Sequence, residues 1–81
     1  QPVLKYTCIG GETEITFTDL INVPIGDILT LVRSGNVIQP VLGTNADMNA
    51  LEYDNGAAGV FTVPTGDIFQ AGEIIQVLYL A

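Results

Sequence analysis

Between residues 14 and 18 the chain alternates strictly, Glu14-Ile15-Thr16-Phe17-Thr18, and a period of two places Ile15 and Phe17 on a buried face with the threonines toward solvent. Five further runs, residues 3–8, 27–33, 37–42, 59–63 and 73–80, are rich in β-branched and aromatic residues and read as strands as well. Turn signals separate them at short intervals: Gly10-Gly11, Asn22-Val23-Pro24, Ser34-Gly35-Asn36, Asp54-Asn55-Gly56 and Pro64-Thr65-Gly66-Asp67. Residues 45–53 break the pattern, since Ala46, Met48, Ala50 and Leu51 fit a single helical turn. About seven short strands joined by Gly- and Pro-containing turns predict an all-β fold, an antiparallel β-sandwich of the immunoglobulin-like or jelly-roll-like kind. It forms one domain over residues 1–81.

Two internal repeats are visible, in registers that conflict with each other, so one of the two is expected to be coincidence. Gly26-Asp27-Ile28-Leu29-Thr30-Leu31-Val32-Arg33 aligns with Gly72-Glu73-Ile74-Ile75-Gln76-Val77-Leu78-Tyr79, a turn glycine and an acid followed by a strand. Val23-Pro24-Ile25-Gly26-Asp27-Ile28 aligns with Val63-Pro64-Thr65-Gly66-Asp67-Ile68. The strands of the first repeat are apolar on both faces. Leu29 and Leu31, with Ile75, Val77 and Tyr79, share one side, while Ile28, Val32, Ile74, Leu78 and Leu80 point to the other. The outer face of a two-layer sandwich is normally polar, so the second set is a candidate subunit interface. The competing expectation is that a loop or the segment 45–53 of the chain itself covers it.

Composition sharpens this picture. With 48% hydrophobic and 14% charged residues in 81, the chain folds around one modest core and leaves apolar groups outside it. Nine acids against Lys5 and Arg33 give a net charge of -7, which repels nucleic acid and anionic lipid. No apolar run approaches the ~18 residues of a membrane-spanning helix, so membrane insertion is not expected. The start at Gln1 suggests a chain cut from a longer precursor. Cys8 is the single cysteine and reads as a small core hydrophobe, with an intermolecular disulfide as the minority alternative.

Candidate chemistry is sparse. Without histidine there is no Ser-His or Cys-His pair, and Ser34 lies in a turn signal with no base to activate it. Gly56-Ala57-Ala58-Gly59 lacks the spacing of a phosphate loop. Asn45, Asp47, Asn49, Glu52, Asp54 and Asn55 offer oxygen ligands, but the EF-hand glycine and terminal glutamate are missing, so they read as turn and cap residues. No catalytic, cofactor-binding or metal-binding residue is therefore assigned, and the chain is expected not to be an enzyme.

Ile15-Thr16-Phe17-Thr18, Leu31-Val32-Arg33-Ser34-Gly35, Gly59-Val60-Phe61 and Ala71-Gly72-Glu73-Ile74-Ile75-Gln76-Val77-Leu78-Tyr79 resemble short β modules of tailed-bacteriophage structural proteins. The resemblance implies a non-enzymatic fibre, appendage or capsid-decorating domain of an extracellular particle. Such a domain associates with copies of itself or with other structural proteins of that particle. A secreted bacterial filament or adhesin subunit, its strand over residues 3–8 added to a neighbour's sheet, is the alternative. A carbohydrate-binding module fits less well, because tryptophan is absent and Tyr6, Tyr53 and Tyr79 are scattered.

Overall fold

In a computed structural model, which describes residues 3–81, the chain forms seven strands. They are β1 (Val3–Thr7), β2 (Glu14–Thr16), β3 (Ile28–Arg33), β4 (Asn36–Val41), β5 (Ala50–Tyr53), β6 (Val60–Thr62) and β7 (Ile74–Tyr79). Single 3-10 turns occupy Thr18–Leu20 and Ile25–Asp27. The start at Gln1 lies outside the described residues.

The strands form one sheet in the order β1-β7-β3-β4-β5-β6-β2, curled into a half-barrel. This corrects the expected two-layer antiparallel sandwich, and β4 is the reason. Its first half pairs antiparallel with β3 through Asn36, Val37 and Ile38, whereas its second half pairs parallel with β5 through Gln39, Pro40 and Val41. A strand hydrogen-bonded on both sides joins the two halves into one sheet. Ladder contact with β3 stops at Ile38, and two residues on stands Pro40, which has no N–H to give. The parallel pair is only three residues long, about 10 Å, so the return over residues 42–49 spans it without a helix. Residues 45–53 are thereby corrected too: Ala50–Tyr53 is a strand beside β4 and not a helical turn.

The two end strands of the sheet, β1 and β2, are consecutive in sequence. The segment joining them follows residues 63–73: Cys8 N–H donates to Glu73 C=O at 2.7 Å, Gly11 N–H to Phe69 C=O at 2.8 Å, and Phe69 N–H returns to Glu12 C=O at 2.9 Å. This continuity draws the ends of the sheet together and encloses the core. Phe61, Phe69, Leu20, Leu31, Leu51, Ile75 and Val77 are fully buried there. Tyr53 stacks on Phe61 at 4.7 Å, and Phe17 meets the same ring edge-on at 6.2 Å. Tyr53 also donates its hydroxyl to Val23 C=O at 2.6 Å, and burial pushes its pKa up to about 12.

Ser34 and Gly35 close the β3–β4 hairpin in two residues with φ of 50° and 85°, the pattern of a type I′ turn. Both internal repeats have a structural counterpart. β3 and β7 are neighbours in the sheet, and Asp27 and Asp67 each donate a backbone N–H to the carbonyl of the proline three residues earlier, at 2.9 and 3.0 Å.

Candidate interaction surface

Cross-strand partners project to the same face, so the ladder registers define what each face carries. On the outer face of β1-β7-β3-β4, one row runs Lys5, Gln76, Val32, Val37 and a second runs Val3, Leu78, Thr30, with Thr7 and Ile74 beside them. Three of the five proposed interface residues, Val32, Ile74 and Leu78, thus lie together and half-buried. Leu80 follows β7 and is 42% exposed. Ile28 does not join them: the β3 ladder shifts against β7 between Ile28 and Thr30, and the extra residue, Leu29, reverses the alternation before it. Ile28 therefore turns into the core with Leu31, and Leu29, assigned inward by simple alternation, is exposed.

The second face is open to solvent at both ends, with Val3 61% and Val37 68% exposed. Segment 45–53, the candidate cover, runs along β4 at β5 instead. The rows contain no aspartate or glutamate in a chain that has nine acids. Lys5 takes part in no ion pair among the described residues.

The carboxylates are held elsewhere. Arg33 closes one end of the core with its guanidinium 4.9 Å from the centre of the Phe69 ring. Its Nε donates to Glu73 Oε1 at 2.8 Å, Nη1 to Asp67 Oδ2 at 2.7 Å and Nη2 to Glu73 Oε2 at 3.2 Å. This contact holds the Glu73 carboxyl below its usual range and leaves it a poor base for the Ser34 hydroxyl, 3.5 Å away. Sequence reasoning treated Asp67 and Glu73 as turn acids and missed this clamp. The available signal was a lone arginine at a strand end in a strongly acidic chain.

The oxygen-rich cluster is occupied by the backbone. Asn45 Oδ1 accepts from Asp47 N–H, Asp47 Oδ1 from Asn49 N–H, Glu52 Oε2 from Asn45 N–H, and the two oxygens of Asp54 from Gly56 and Ala58. Asn55 Oδ1 accepts from Ile25 N–H across the loop. These are turn bonds and, for Glu52 and Asn55, longer braces between segments, and no group of three acidic or cysteine side chains in metal-binding geometry occurs among the described residues. Cys8 is buried, which raises its thiol pKa.

Glu12 organises the loop after β1. Its carboxylate accepts N–H bonds from Ile9 at 2.9 Å and Gly10 at 2.6 Å and a hydroxyl bond from Tyr6 at 2.7 Å. The Ile9 bond leads in lowering its pKa from 4.5 to about 2. A folded value below the unfolded one contributes stability that is complete above the unfolded pKa and is lost as pH falls toward the folded one. The advantage of the native protein over Glu12→Gln in urea midpoint is therefore expected to be constant above about pH 5 and to shrink steadily toward pH 2. Equal slopes for the two proteins in that window would refute the role.

No protein-family model, curated protein or solved structure matches the chain.

Proposed function

We propose that this domain is a non-enzymatic building block that assembles through the outer face of β1-β7-β3-β4, as a structural module of an extracellular particle such as a tailed-phage virion. The observation that carries the assembly reading is the acid-free, partly apolar face in a molecule of net charge -7. Copies of such a chain repel one another least where carboxylates are absent, and the apolar residues of this face gain from leaving water. The virion setting is supported by the likeness of the turn and strand motifs to phage structural modules. A filament subunit built by strand addition is the second reading, favoured by the position of β1 at one end of the sheet.

Sedimentation velocity across a concentration series tests the assembly. Val37→Asp, at an exposed position, is expected to weaken association by about tenfold or more while leaving the circular dichroism unchanged. Leu78→Asp acts in the same direction at a half-buried site. Thr65→Asp, in an exposed turn away from the face, is expected to associate like the native chain. Folded Val37→Asp and Leu78→Asp proteins that associate normally would overturn the reading. Electron microscopy of the assembled material then separates a shell from a fibre.

A further inference from the structure

The other half of the sheet carries the opposite electrostatic character. Across β4, β5, β6 and β2 the outward row reads Val41, Glu52, Thr62, Glu14. On this face lies a shallow notch of about 220 Å³, lined by Gly43, Thr44, Glu52, Tyr53, Asp54 and Thr62. Glu52 gives one oxygen to Asn45 N–H, which leaves its second without a partner among the described residues. Asp54 adds a second carboxylate at the rim.

We propose that copies of the chain stack head to tail, with Lys5 of one copy seated in the Glu52 notch of the next. The inference rests on the self-assembly reading above and specifies its geometry. Both outer faces present a four-residue row, Lys5-Gln76-Val32-Val37 on one and Glu14-Thr62-Glu52-Val41 on the other. Lys5 gives the first row its one charge, and Glu52 and Glu14 give the second its carboxylates, of which Glu52 lines the notch. Arg33 is already held by Asp67 and Glu73, so among the described residues Lys5 is the side-chain cation free to meet an acidic neighbour. Pairing the acid-free face with itself would bring two Lys5 side chains toward one another with no carboxylate between them. Pairing it with the acidic face sets Lys5 against a carboxylate instead. Unlike faces in contact make a heterologous interface, which propagates as a ring or a filament.

Charge reversal on each side gives a complementation test. Lys5→Glu alone sets a new carboxylate against Glu52, and Glu52→Lys alone sets a new ammonium against Lys5. Each purified variant is expected to associate about tenfold or more weakly than the native chain at low salt. Mixed in equal amounts, they are expected to recover native association, because in an alternating stack the new carboxylate of Lys5→Glu meets the new ammonium of Glu52→Lys at one junction and native Lys5 meets native Glu52 at the next. Circular dichroism checks that both fold. Should Glu52→Lys lose its fold with the Asn45 bond, Lys5→Glu against Lys5→Arg carries the test: the first is expected to weaken association and the second to preserve it. Native association by Lys5→Glu, or no recovery from a mixture of two folded variants, would overturn the stacking. If Val37→Asp disrupts assembly while Lys5→Glu does not, the face stands as an interface and the notch pairing falls. A native chain that is monomeric at every concentration would overturn both.

Discussion

Gly59→Ala is expected to lower the melting temperature by roughly 15 °C or more, or to prevent folding at ambient temperature. Gly59 has φ of 75°, a region that costs an L-residue about 1–2 kcal/mol. Space is the larger obstacle: a Cβ there would overlap the carbonyl oxygen of Phe17 and crowd Leu20. That carbonyl accepts from Leu20 N–H at 2.9 Å, and Phe17 N–H donates to Gly59 C=O at 2.8 Å, so neither segment can retreat without loss of a bond. Together these effects reach about 3–5 kcal/mol, a large part of the stability of a domain this size. Gly72→Ala is the control, since its φ is 87° but an added Cβ meets nothing within 4 Å. It should show the backbone cost alone, roughly 5–10 °C. Equal shifts for the two variants, measured by thermal denaturation, would remove the steric argument.

Arg33→Met is expected to destabilise by about 2–3 kcal/mol at neutral pH, somewhat less than the full cost of breaking a buried pair, because the partners keep some contact with solvent. Methionine preserves apolar contact over Phe69 but leaves Asp67 and Glu73 facing each other without a cation. The pH dependence separates charge from packing. In the native protein Glu73 has a lowered pKa, led by its bond from Arg33, so its contribution is present above the ordinary carboxylate range and is lost as pH falls through the folded value. In Arg33→Met, Glu73 loses the bond that favours its charged form, so its contribution to the pH dependence is lost with the arginine. The stability gap between the two proteins should therefore stay level near neutral pH and narrow as pH falls below the ordinary carboxylate range. A gap that stays constant would assign the loss to packing.

The sequence made strands legible wherever apolar residues alternated or clustered between turn residues. The β1, β2, β3, β4, β6 and β7 segments lie within a residue or two of the runs read from it. Ala50–Tyr53 escaped because a four-residue strand with three buried positions has no period to distinguish it from one helical turn. The curl of a single sheet was invisible for a different reason. Strand periodicity reports which side chains face inward, and the inner faces of a sandwich and of a curled sheet produce the same alternation. The dual pairing of β4, with Pro40 in the half that turns to β5, is a tertiary property. The shared outward placement of Val32, Ile74 and Leu78 was legible because β7, and β3 beyond its bulge, alternate regularly. Ile28 was misplaced because one bulge residue inverts everything before it, and nothing in a run of Ile-Leu-Thr-Leu marks where that residue falls.

The pairing of β1 with β7 places Val3 opposite Leu78, so the path into the fold and the path out of it run side by side. Neighbouring strands are about 4.8 Å apart, a gap similar to the one between the feet of a hairpin loop in any other protein. The domain can accordingly be grafted into a surface loop of a host without long spacers. The same geometry permits a circular permutant, in which a short linker carries β7 into β1 and new termini open at the exposed Gly43-Thr44.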